Sequence, residues 1–228
     1  IERKIIDAKK YLSNAYYTIK MDNIGDEKLF ILFKLALKLV LEIENDEYKI
    51  RRELKLSDFN KFIAKNPKSF VDNVFNIFID AIKTHSGEKY NGLYHDRVFW
   101  SRLYNHDNEG LISYFNTAFI ELAKQSPELF WEFIAEYKHS EYETILFLIL
   151  KGLLYLPISY SDRIIEYVTI NDLYWDIGYS AGGDNYPTML LIRKFSENCS
   201  DLNLSKLIEK LLIYIQISPK FQMNPDSL

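Results

Sequence analysis

A handful of short stretches contain residue types whose spacing could do chemistry. Gly178-Tyr179-Ser180-Ala181-Gly182 has the G-x-S-x-G spacing of a nucleophile elbow, in which Ser180 would attack an acyl carbonyl. That elbow needs a buried strand before it and a helix directly after it. Here Asn171 to Ile177 is short and carries two acids, and Gly183 to Pro187 reads as loop. The histidines are His85, His95, His106 and His139, and all precede Ser180, whereas the elbow's chain order places one after it. The stretch is expected to be a loop without a nucleophile.

Gly87 to Gly92 has the five-step glycine spacing of a phosphate-binding loop. Leu93 and Tyr94 stand where the loop needs Lys for phosphate charge and Ser or Thr for magnesium, so no nucleotide site is expected. Tyr94-His95-Asp96 and Asn105-His106-Asp107 form the one suggestive polar pair. An offset of eleven residues would put both His-Asp units on one helix face, about 16 Å apart, too far to chelate a single ion. Capping of a short helix by Asp96 and by Asp107 or Asn108 is the simpler expectation. An all-α metal- or small-molecule enzyme using His95, Asp96, His106 and Asp107 stands as the alternative from a different class. No catalytic residue, cofactor or metal is expected.

Charge and aromatics suggest binding instead. From Lys49 to Lys68 seven positive residues, Arg51 and Arg52 among them, face two acids, whereas Glu128 to Glu143 holds five glutamates and one lysine. Basic segments contact phosphates in nucleic-acid readers, but the sequence pI is about 5.7, so nucleic acid is not the expected partner. Tyr is abundant at 17 residues, and its ring with a water-tolerant hydroxyl suits protein interfaces. Tyr174, Trp175, Tyr179 and Tyr186, with Arg51 and Arg52, are the candidate partner-binding residues. The first four lie in a long Gly-rich connection, 171–186.

The elements that must position these residues read as helices. Apolar residues recur at three and four throughout. Helices are expected over Arg3–Lys20, Asp26–Glu44, Lys68–Lys83, Glu109–Gln125, Glu128–Lys138, Glu141–Leu156, Asp162–Thr169, Pro187–Glu197 and Leu204–Ile217. Several are apolar on most sides. Lys34, Lys38 and Glu42 form a single polar stripe on one, and Asp72, Asn76, Asp80 and Lys83 on another. Helices enclosed on most sides, alternating with amphipathic ones, imply an all-α fold of stacked helical hairpins, an α-solenoid-like (TPR/HEAT-like) array. Phe59 to Phe70 is echoed by Phe119 to Phe130 at an offset of 60 residues, each segment turning at Asn/Ser-Pro. Two hairpins of about 30 residues would fill that period.

Composition agrees. The 228 residues are 48% hydrophobic and 26% charged, with a net charge of −4, which excludes a disordered tail. Gly (8) and Pro (6) are too sparse for the turns of an all-β protein. The single Cys199 excludes a disulfide framework and fits a reducing compartment. The apolar runs Leu29–Leu41 and Ile145–Leu156 are interrupted by lysines and shorter than a membrane span, so no membrane role is expected. The chain opens on Ile1-Glu2-Arg3-Lys4, without an apolar signal core, and is expected to be one domain over 1–228, a piece of a larger protein, with a sub-boundary near 85–95.

From Phe119 onward the order of motifs adds a resemblance. Ser126-Pro127-Glu128-Leu129-Phe130, Tyr160-Ser161-Asp162-Arg163-Ile164-Ile165-Glu166-Tyr167 and Ile177-Gly178-Tyr179 are followed by Leu190 to Ser200 and Leu207 to Tyr214. This order resembles the helical-repeat sensor regions of large bacterial STAND-type NTPases of antiphage defence. The resemblance implies a non-catalytic, cytoplasmic segment that recognises a protein partner, a viral protein in that family. Homo-oligomerisation would run through domains outside this chain. A free-standing helical scaffold is the alternative of the same structural class.

Overall fold

The computed structural model describes Lys34, residues 59–96, 111–177 and 187–217. These residues are mostly helical, 78% of them. The expected helices Arg3–Lys20 and Asp26–Glu44 lie outside the described residues, except for Lys34, which is helical.

The chain divides into two compact units, Ile1–Glu88 with His95–Phe119 and Lys89–Tyr94 with Ile120–Leu228. In the first unit, α1 (Phe59–Lys65) and α2 (Pro67–His85) meet at Asn66. Pro67 starts α2, where its missing N–H is one that no helix could bond anyway. The Asp72, Asn76, Asp80 and Lys83 stripe is exposed as expected, and the opposite face is buried. On that face Phe70, Phe75 and Phe78 meet Phe115 and Phe119 of α3 (Leu111–Gln125), with the rings of Phe78 and Phe115 stacked at 4.1 Å. All five rings are at most 1% exposed, so this aromatic cluster is at the core of the described residues of the unit.

The stretch between α2 and α3 carries the sheet of this mainly helical chain. Residues 86–96, for which the helical period gives no element, form a two-stranded hairpin, β1 (Ser86–Tyr90) and β2 (Leu93–Asp96). Asn91 and Gly92 both take positive φ, 50° and 82°, the left-handed pair a two-residue hairpin loop requires. Asn-Gly is the dipeptide that adopts this most readily, because Gly has no Cβ and Asn tolerates the region. The β2 residue Tyr94 bonds on through its N–H to the Glu141 carbonyl at 2.7 Å, and its ring stacks on Tyr142.

The second unit continues with α4 (Pro127–Ala135), α5 (Glu143–Leu153), α6 (Ser161–Ile170), α7 (Leu173–Asp176), α8 (Pro187–Phe195) and α9 (Asp201–Ile217). Helix α5 is buried all round except at Lys151, so nearly every position is Leu, Ile, Phe, Thr or Gly. Burial lowers the pKa of Lys151, whose ammonium lies 5.6 Å from the Phe147 ring. Helix α8 packs on α5, and Lys194 closes that junction by donating to the Leu154 and Leu156 carbonyls at 2.5 and 3.3 Å. A cation at those orphan carbonyls suits the negative end of α5.

Helix α6 packs against both α8 and α9. Asp162 at the start of α6 accepts from the Ser200 N–H and Oγ, each at 2.7 Å, and from Asn203 Nδ2 at 2.8 Å, at the start of α9. Just beyond the end of α6, Asp172 pairs with Lys210, further along α9. The two helices therefore run side by side in the same direction, with α8 between them in sequence.

The 60-residue echo has a local counterpart. Asn66 and Ser126 take similar conformations, φ −133°, ψ 50° and φ −147°, ψ 71°, each followed by Pro at the start of a helix. In each, the N–H of the fourth residue on, Phe70 or Phe130, bonds back to the capping carbonyl at 3.1 or 3.0 Å. Both phenylalanines are fully buried.

Candidate protein-interaction surface

The structure places the sequence candidates unevenly. Tyr179, Tyr186, Arg51, Arg52, His106 and Asp107 lie outside the described residues, as does the Gly178–Gly182 stretch with Ser180. His95 and Asp96 sit on strand β2, not on a helix, so the shared-face argument for His95 and His106 loses its premise. No group of three His, Cys, Asp or Glu side chains able to hold a metal ion occurs among the described residues.

Tyr174 and Trp175 are corrected from contact residues to core. They sit on α7, a one-turn helix inside the segment expected to be loop, and are 1% and 2% exposed. The Tyr174 hydroxyl donates to the Lys138 carbonyl, and burial raises its pKa to about 12. The Tyr167 ring stacks on it at 4.9 Å. Trp175 donates from Nε1 to the Val168 carbonyl at 2.9 Å, its ring lies against Tyr214, and its own carbonyl accepts from the Tyr214 hydroxyl. Two aromatic residues in a polar context looked like interface, but their polar atoms are spent on backbone carbonyls within the unit.

Polar side chains converge at one place beside α6. Glu128 of α4 accepts from the Tyr160 hydroxyl at 2.6 Å and from Arg163 at 2.9 and 3.0 Å. The Arg163 guanidinium also lies over the Trp131 and Tyr160 rings. The Tyr160 hydrogen bond, reinforced by Arg163, holds the Glu128 carboxyl below its ordinary pKa. Every charge here has a partner within the cluster. It is a tie between α4 and α6.

Exposed apolar residues gather elsewhere, on α9. Leu202, Ile208, Leu212 and Ile213 are exposed, Leu202 at 67%, and Ile170 at the end of α6 is 63% exposed. At 100° per residue the exposed positions of α9 cover one arc that also holds Asp201, Ser205, Lys206 and Glu209, while Leu207 points into the core. Between α6 and α9 runs a shallow groove of about 310 Å³. Glu166, Thr169 and Ile170 line one side of it, and Lys206, Glu209, Lys210 and Ile213 the other. Apolar side chains among both signs of charge, on an open groove between two helices, have the character of a surface that can seat another helix. The helix period identified α9, but nothing in it separated the covered arc from the open one. That separation depends on α6 covering one side.

No helix among the described residues is long and apolar enough to cross a membrane. Comparisons with protein-family models, with curated proteins and with solved structures give no match for this chain.

Proposed function

We propose that the chain is a non-catalytic protein-binding module built as an α-solenoid-like stack of helical hairpins. We further propose that it is the ligand-sensing part of a bacterial antiphage STAND-type NTPase, working in the cytoplasm. The observation that carries the binding reading is the outer arc of α9, where Leu202, Ile208, Leu212 and Ile213 stay exposed and Ile213 lines a groove with Ile170 of α6. Several large apolar side chains exposed on one helix arc among charges of both signs favour a partner. Two further features support the stack. Helices α6 and α9 run alongside in one direction, as the equivalent helices of successive hairpins do. The helix–Pro–helix turns at Asn66 and Ser126 repeat one geometry. The defence assignment rests on the order of motifs from Phe119 to Tyr214.

The test is capture followed by titration. The chain is immobilised, exposed to lysate of phage-infected bacteria, and the retained viral protein is purified and titrated against wild type and Leu212→Asp. Saturable binding, weakened about 10-fold or more by the substitution, is the expected result. Binding that Leu212→Asp leaves unchanged contradicts the assignment of this face. A parent reading frame without a P-loop domain contradicts the sensor assignment and leaves a free-standing scaffold.

A further inference from the structure

We infer that the outer face of α9 is self-complementary and takes α9 of a second copy of this chain, packed antiparallel about a two-fold axis. The inference rests on the reading of this face as a protein-interaction surface and gives what occupies it while the partner is absent. Leu202, Lys206, Glu209 and Ile213 lie within one narrow strip of α9, because steps of four, three and four residues return to nearly the same angle. All four are exposed. Steps of four, three and four read the same in either direction. Two such strips laid antiparallel therefore set Leu202 opposite Ile213 at both ends, and Lys206 opposite Glu209 twice in the middle. A parallel arrangement would oppose Lys206 to Lys206 and Glu209 to Glu209. The charge order thus selects one orientation and one register.

Both central charges are available for this. Neither Lys206 nor Glu209 makes an ion pair or a side-chain hydrogen bond among the described residues, although they stand three apart on one helix, and their neighbour Lys210 is already paired with Asp172. A groove lined by one sign of charge would select a partner of the other sign. This one carries both, and a two-fold axis matches each to its opposite. The strip from Leu202 to Ile213 is only about 16 Å long, so the contact falls in the small, transient class and responds to concentration.

Sedimentation of the 228-residue chain across a concentration series up to about 1 mM, the range where small interfaces associate, tests this directly. Wild type is expected to form dimers reversibly. Lys206→Glu alone and Glu209→Lys alone each place like charges opposite one another twice, and each is expected to weaken the dimer about 10-fold or more. An equimolar mixture of the two variants is expected to recover association as a heterodimer, since every pair is then of opposite sign. The double variant Lys206→Glu/Glu209→Lys recovers the homodimer for the same reason. Circular dichroism of each variant confirms that these exposed substitutions leave the helices intact. A wild type that stays monomeric overturns the inference, as does a dimer indifferent to both single changes or a mixture no tighter than its components. These readouts use the chain alone, so a monomer would leave the Leu212→Asp titration standing as a separate test of partner binding.

Discussion

The guanidinium of Arg163 lies 4.4 Å from the centre of the Trp131 ring, joining α6 to α4 across 32 residues of chain. On its other contacts it meets the Tyr160 ring and the Glu128 carboxylate. Arg163→Ala should destabilise the protein by about 1 kcal/mol through the lost ring contact alone. Arg163→Lys should recover only part of this, because an ammonium lacks the planar face that stacks on Trp. Urea unfolding midpoints of the two variants check the order.

Asp162 links the starts of α6 and α9, and the Ser200 N–H and hydroxyl, then Asn203, hold its pKa below the ordinary value of 3.8. Glu128 is held down likewise, by Tyr160 and then Arg163. A depressed carboxyl contributes stability above its unfolded pKa and loses it as pH falls through the lower folded value. Stability should therefore decline as pH drops below about 4. Asp162→Asn should be less stable than wild type at neutral pH and show a shallower acid decline. Unfolding midpoints measured from neutral to strongly acidic pH would reveal it.

Trp175 fills the core of the second unit, so Trp175→Ala should cost about 3–5 kcal/mol. Trp175→Phe keeps most of the volume but leaves the Val168 carbonyl without its indole donor, for about 1–2 kcal/mol. The difference between the two by chemical denaturation separates packing from hydrogen bonding. If Trp175 faced a partner instead, both substitutions would be nearly neutral for stability.

Gly92 sits at φ 82°, and a Cβ there would lie 2.9 Å from Leu173 Cδ2. Gly92→Ala should destabilise by about 1–2 kcal/mol, from the left-handed backbone together with the crowding. Asn91→Gly, which keeps the turn conformation, should change stability by less than about 1 kcal/mol. Thermal unfolding of the two variants distinguishes turn geometry from the general fragility of a small hairpin.

The helices were legible wherever one element's own periodicity decides burial. The stripe of Asp72, Asn76, Asp80 and Lys83 marks the wet side of α2, and the unbroken apolar run of α5 marks a helix covered all round. The hairpin is hidden although Asn91-Gly92 is a strong turn signal, because its strands are too short and polar to show alternation. The burial of Tyr174 and Trp175 does not show in sequence because what covers them, the Lys138 and Val168 carbonyls and the Tyr214 ring, lies up to 39 residues away. The same holds for the interaction face. The period of α9 is visible in sequence, whereas which arc α6 covers is a tertiary fact.

Hydrogen exchange on the captured viral protein complex tests the central claim most directly, because it maps the contact without altering the chain. The account predicts that peptides within 201–217 and the end of 161–170 gain protection on binding while those of 143–153 do not change. Protection confined to other segments, with 201–217 exchanging as in the unbound chain, would contradict it.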